Sequence, residues 1–308
     1  MPDRKDEVTK YISMDMFGIE VAPWIKPLVP KRTGYNSIVL DVFDTEKLIE
    51  NAHAANLSDY IGAIESVDIV GDACSIAEAV AQRYELGTFD YIVSSHNLEH
   101  LPDPIRFLQG CEKVLKPGGM LSLALPDRRI SFDYFRPHST LADWLEANFE
   151  QRVRPTQTQI FAQTSLHSMY YRNGDPQYGF SLTDDPAQVL PLETLKEAYD
   201  QWKLYNEQAD EVYHDVHCWT FTPSSFELII RDLGFLELSK LQVLELAQAD
   251  AIEFFVHLRN MRDLPYPNIK DREYYDLRRQ LLHRINNEGY ANCIKAYADS
   301  SSSGSIGP

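Results

Sequence analysis

Apolar and polar positions divide this chain into short buried strands and one-faced helices. The clearest unit runs from Phe89 to Arg128. Phe89 to Ser94 is an apolar run of buried-strand length. Asn97 to Pro104 follows as a loop carrying Glu99-His100 and Leu101-Pro102-Asp103-Pro104. Asp103 suits the cap of a helix, with Pro104 at the first helical position, where its missing N–H costs nothing. Ile105, Leu108, Cys111, Val114 and Leu115 then fall on one helical face. Lys116-Pro117-Gly118-Gly119 is expected to stop that helix. Met120 to Leu125 reads as a second buried strand, ending at Pro126-Asp127. Strand, helix and strand in this order make a right-handed parallel crossover.

The same reading places strands at Gly18 to Ala22, Ser37 to Asp41 and Val67 to Val70, and helices at Thr45 to Ala54 and Ile76 to Tyr84. Residues 128–216 lack a clear strand. They hold two helical stretches, around Ser139 to Glu150 and Leu192 to Gln208. The stretch LHSMYYRNGDPQYGFSLTDDP between them is too long for a plain connection and reads as an inserted lid or substrate-binding region. Thr222 and Pro223 open a further helix with the stripe Phe226, Ile229, Ile230 and Leu233, ended by Gly234. Phe235 to Glu245 and Ala251 to Leu258 read as a closing antiparallel pair. A charged helix is expected over 260–298, after Pro265 and Pro267, placed to pack on the domain or to contact a second copy as a homodimer. The division is thus a domain over 11–258 with a cap inserted at 128–216, a helical extension at 259–299 and a flexible tail at 300–308. Met1 to Lys10 are polar and expected to be mobile. Alternating strands and helices give an α/β, doubly wound, mostly parallel sheet.

Charge narrows the partners. Twenty-nine Lys and Arg stand against 46 Asp and Glu, a net charge of −17. Such a surface repels phosphate backbones and anionic membranes, which argues against a nucleic-acid substrate and against membrane docking. Cys74, Cys111, Cys218 and Cys293 are far apart and form no Cys-x-x-Cys pair, so no zinc site or disulfide framework is expected. With no signal-peptide core at the start and no long apolar run, the expectation is a cytoplasmic protein.

FDYIVSSHNLEHLPDP followed by VLKPGGMLSLALPD resembles the fourth and fifth strands of class I S-adenosylmethionine-dependent methyltransferases, in the branch whose fourth strand ends in a Leu-Glu-His turn. The likeness covers about residues 17–127 and 217–258. It implies a seven-stranded sheet of Rossmann-like kind with S-adenosylmethionine as cofactor and S-adenosylhomocysteine as product. In that family the first strand ends in an acid followed by a glycine-rich turn. Glu20 matches the acid, whereas Ala22 and Trp24 stand where glycines are usual, and Pro23, Pro27 and Pro30 break the helix that normally follows. A subset of bacterial methyltransferase-like proteins with Glu-x-Gly-Pro and Pro-x-x-Pro-Lys is similar here, although Ala22 replaces its glycine.

The resemblance assigns Glu20, Val21 and Ala22 to the methionine end of the cofactor. Asp41, twenty-one residues after Glu20, is placed to accept hydrogen bonds from ribose hydroxyls, with Val42 beside it. Asp72 and Ala73 correspond to the adenine contacts; the alternative for Asp72 is a helix cap. Ser95 and His96 lie at the end of the fourth strand, where ligands of open sheets bind. Glu99 and His100 either fix the turn or form a catalytic pair. The expected activity is methylation of a small molecule or sugar in a biosynthetic pathway. A hydroxyl acceptor must lose its proton. His217 is the candidate base, with Asp127 orienting it or the acceptor; His167, Tyr170 and Tyr171 of the insertion are the other candidates. His217 as a buried structural histidine is the alternative. No ligand spacing points to a metal. Two rivals remain: a cofactor-free binding or scaffold module, and a nicotinamide-dependent oxidoreductase that would use Asp41 alone.

Overall fold

A computed structural model describes residues 3–207, 213–248, 252–264 and 270–302. Seven strands form the main sheet: β1 Phe17–Val21, β2 Asn36–Asp41, β3 Ile69–Val70, β4 Phe89–Ser95, β5 Leu115–Pro126, β9 Leu241–Gln248 and β10 Glu253–Asn260. Their order is β3-β2-β1-β4-β5-β10-β9, with only β10 running against its neighbours. The chain turns both ways from β1, so a crevice opens above the tips of β1 and β4. Gly18 is fixed by packing there: a Cβ would meet the Tyr91 ring at 2.2 Å.

One face of the sheet is covered by α3 (Ile76–Val80), α4 (Pro104–Val114) and α8 (Pro223–Phe235), which pack around Ile92, Leu121, Leu123 and Phe254. Both longer helices start as their sequence dictates. Asp103 accepts from the Arg106 N–H at 3.1 Å, and Thr222 accepts from the Ser225 N–H at 3.3 Å. α2 (Thr45–Ala54) follows β2 and is capped by Asp44. Among the described residues the other face carries no long helix next to β1. The prolines of 23–30 keep that segment irregular, and Leu28 and Val29 pack with Tyr91, Val93, Met120, Ala124 and Phe255.

Three expectations are corrected. The first residues are not a loose tail: α1 (Arg4–Val8) buries Val8 against the sheet. Lys116 to Gly119 do not separate helix from strand. α4 ends at Val114, Leu115 already pairs with Phe89, and residues 116–119 bulge from the ladder before Met120 pairs with Tyr91. Lastly, the insertion does contain strands. β6 (Ser168–Arg172), β7 (Asp175–Gln177) and β8 (Val189–Pro191) make an antiparallel sheet in the order β7-β6-β8. Asn173 and Gly174 both have positive φ and close a two-residue hairpin. Ile130, Tyr170, Phe180 and Val189 form its own small core. α5 (Leu141–Phe149), α6 (Gln157–Ser165) and α7 (Leu195–Glu207) complete this cap, α6 being a helix the apolar pattern did not predict.

α9 (Asp271–Ser302) lies on α8 through Leu277, Leu281 and Ile285. Glu288 accepts from Thr222 and Ser224 at the first turn of α8, where an acid complements the helix dipole. Asp232 near the other end accepts from Tyr274 and Arg278. Ala251, Pro265, Pro267 and the tail from 303 onward lie outside the described residues.

Candidate active site

The turn after β1 keeps a glycine-like backbone without glycines. Ala22 has φ 49° and Trp24 φ 40°, both in the left-handed region that an L side chain adopts at a cost of about 1–2 kcal/mol. Two anchors hold it there. The Ala22 N–H donates to the Leu40 carbonyl at 2.8 Å, and the Trp24 indole donates to the Leu48 carbonyl of α2 at 3.3 Å. Glu20 holds the rest of the loop: its oxygens accept the N–H groups of Leu28 at 2.5 Å and Val29 at 3.2 Å. The carboxyl thus shapes the turn from below. Burial pushes its pKa up to about 7 against the pull of those two N–H groups.

Asp41 ends β2 and is 4% exposed. One oxygen accepts from the Phe43 N–H at 3.0 Å, which leaves the other for a ligand; burial raises its pKa. Beside it Val42, Phe43 and Val70 present apolar side chains to water, Val42 at 60% exposure. A buried acceptor flanked by exposed apolar side chains fits a ligand with a diol and a flat ring, as the adenosine of S-adenosylmethionine has. Asp72 is exposed and caps the Cys74 N–H at 2.9 Å, while Ala73 and Val21 are buried and offer only backbone.

At the tip of β4, His96 also has positive φ, 48°. Its Nε2 lies 2.9 Å from Glu253 and its Nδ1 3.4 Å from Glu99. Burial alone would lower its pKa, but the two carboxylates overcome this and raise it to about 9. Arg4 of α1 closes the same corner, donating to Glu253 at 2.7 Å and to Ser95 at 2.5 Å.

The acid–base residues gather beside this tip. His217 is 6% exposed, and its Nδ1 lies 2.6 Å from Asp133, which in turn accepts from Arg136 at 2.6 Å. Asp127 does not orient His217. It is fully buried, grips the Arg129 guanidinium through both oxygens and caps the Arg129 N–H. Asp133 does the work expected of it, six residues further on and out of any readable pattern. His100 stands against His217 with ring centroids 4.7 Å apart, and its Nδ1 lies 2.7 Å from Asp215. Burial lowers the His100 pKa, yet Asp215 and Glu99 outweigh it and raise the net value. Glu99 is wholly buried. Burial pushes its pKa up, and His96 beside it, with the charges of His100 and His217, brings it below the ordinary value. His167 stacks on Phe132, which also packs against His217, and burial lowers its pKa. Tyr170 is committed to the small core of the cap. Glu99, His100 and His217 bring one donor atom each within 4.8 Å of one another.

Residues 10–239 match a family profile described as a methyltransferase domain. A ubiquinone biosynthesis O-methyltransferase of Parvibaculum lavamentivorans is 39% identical over 62 residues, covering 20% of this chain and 24% of the relative. One from Burkholderia ambifaria is 30% identical over 101 residues, covering 33% and 40%. The chain thus spans well under half the length of these curated relatives. A methyltransferase structure from Methanosarcina mazei superposes with a TM-score of 0.42 at 14% identity, over 84% of this chain and 97% of that one. That likeness is too loose to add to the strand order.

Proposed function

The chain belongs to the methyltransferase-domain family, with the strand order of class I S-adenosylmethionine-dependent enzymes, and from that premise we propose that it methylates a hydroxyl of a small or sugar-like acceptor. S-adenosylmethionine, when bound, supplies a methyl group already activated by its cationic sulfur. The residues that would hold it are Asp41 for the ribose, Val42, Asp72 and Ala73 for the adenine, and the backbone of the Ala22 turn with Ser95 and His96 for the remainder. The protein has three further tasks: to hold the acceptor oxygen in line, to exclude water and to take a proton from the acceptor.

The observation that carries the reading is the convergence of Glu99, His100 and His217 beside the β4 tip, at the foot of the cap. Asp133 on Nδ1 leaves His217 Nε2 as the atom presented to an acceptor. Aromatic side chains near this cluster, Phe132 and His167 among them, suit the faces of a sugar ring.

The test uses methyl-labelled S-adenosylmethionine with a panel of hydroxylated small molecules and glycans. His217→Ala lowers transfer by about 10²–10⁴-fold while S-adenosylhomocysteine binds as before. Transfer within threefold of the parent protein would remove the acceptor's proton from this cluster.

A further inference from the structure

The three side chains that meet beside the β4 tip have the makings of a metal centre. We propose that Glu99, His100 and His217 bind one divalent transition cation of the zinc, cobalt or manganese class, with an oxygen of the acceptor completing its shell. This deepens the preceding reading, on which it rests for the cation's role though not for its binding, and replaces one step of it: with His217 Nε2 on the cation, an acceptor hydroxyl bound to that cation is acidified by it and releases its proton to water instead of to the imidazole.

Glu99 is the first reason. It is 0% exposed, and neither of its oxygens has a hydrogen-bond partner. A buried carboxylate left in this state is costly unless a cation meets it. His96 offers part of that compensation, with Nδ1 3.4 Å from Oε1. Its other nitrogen is already engaged by Glu253, and Oε2 of Glu99 is left with no donor at all.

The histidines are the second reason. Both give Nδ1 to a carboxylate, His100 to Asp215 and His217 to Asp133. This fixes the tautomer that presents a lone pair on Nε2, and it is the support that metal-bound imidazoles generally have. Two nitrogens and one carboxylate suit zinc and its neighbours better than calcium or magnesium, and three protein ligands leave a position open.

Rigidity is the third. The two segments that carry the ligands are bolted together. The Trp219 N–H donates to the Glu99 carbonyl at 3.1 Å, the Trp219 indole to the Leu101 carbonyl at 2.6 Å, and the Cys218 thiol to the His100 carbonyl at 3.4 Å. The ligands are therefore placed before any ion arrives.

Cobalt titration of the full chain, first dialysed against a chelator, tests this without any methyl acceptor. One equivalent of Co²⁺ binds and gives the intense visible bands of a low-coordinate site. Glu99→Gln and His217→Gln each abolish those bands. Asp133→Asn, which removes only the support of His217, weakens binding by about 10–100-fold. His53→Ala on α2, far along the chain from the cluster, changes nothing. Should His217→Gln fail to fold, His100→Ala on the partly exposed ring reads the same loss. No saturable Co²⁺ binding by the parent protein at micromolar concentration overturns the proposal. So does binding that survives in folded Glu99→Gln and His100→Ala. Cobalt binding without any methyl transfer would instead count against the preceding reading alone.

Discussion

Replacing Glu20 by glutamine removes one titration from the folded protein while keeping the side chain's shape. The carboxyl is buried beneath the first turn, with two backbone N–H groups pulling its pKa down and burial pushing it up. Burial wins, and the pKa rises from its ordinary 4.5 to about 7. Between those values the folded protein keeps a proton that the unfolded chain has released. Stability from this group is therefore full below about pH 4.5 and is lost as pH rises through about 7. At about 1.4 kcal/mol per pH unit the whole loss is about 3 kcal/mol. Glutamine has no such slope. Its amide sets a donor against one of the two N–H groups, an unpaired buried donor that costs about 1–3 kcal/mol at any pH. Glu20→Gln should then be the weaker protein in acid and draw level in mild alkali. Urea unfolding of both proteins at about pH 5 and about pH 8 measures this, and every other titrating group cancels in the double difference. The variant should gain about 2–3 kcal/mol on the parent between the two. Parallel stabilities, within about 0.5 kcal/mol, would refute the assignment of a raised pKa to this carboxyl.

Ala22→Gly relieves a left-handed φ but adds freedom to the unfolded chain, two terms of about 1 kcal/mol that oppose each other. Its melting temperature should stay within a few degrees of the parent's, whereas Ala22→Val should melt well below it. Asp41→Asn should weaken S-adenosylhomocysteine about 10–100-fold by calorimetry, the worth of a hydrogen bond to a charged acceptor, with little change in unfolding. Leu281→Ala empties a buried site between α8 and α9 and should cost about 2–5 kcal/mol in urea unfolding.

Much of the sheet was legible because its strands are buried on both sides and its turns carry strong local signals. Thr45–Ala54 was readable to the residue, since Asp44 caps one end and polarity ends the other. Asp103-Pro104 and Thr222-Pro223 worked for the same reason. The strands of the insertion were not legible from apolar period, because β6 is five residues with two adjacent tyrosines and β7 three residues with no aromatic or aliphatic side chain but proline. Asn173-Gly174 carries a hairpin-turn signal that a reading by apolar period passes over. Site chemistry divided along another line. The place of Asp41 could be read because a strand tip is a fixed position. Asp133 and Asp215 could not, because they reach His217 and His100 across loops whose course no local pattern specifies. Ala22 and Trp24 seemed to deny the glycine turn, yet the strain is tolerated where Glu20, Leu40 and Leu48 hold the backbone.

The N-terminal helix and the β4 tip belong to one electrostatic arrangement. Arg4 meets Glu253, Glu253 meets His96, and His96 meets Glu99, so charges alternate from the first residues of the chain to the foot of the cap. Each buried carboxylate in this row is kept ionised by its neighbours against the penalty of burial. Remove one member and the next is left with an uncompensated charge, which costs more than the pair itself was worth. This explains why His96 can hold a positive φ at a strand tip. The strain is balanced by two carboxylates that fix its ring from both sides. It also explains why the segment expected to be loose is ordered.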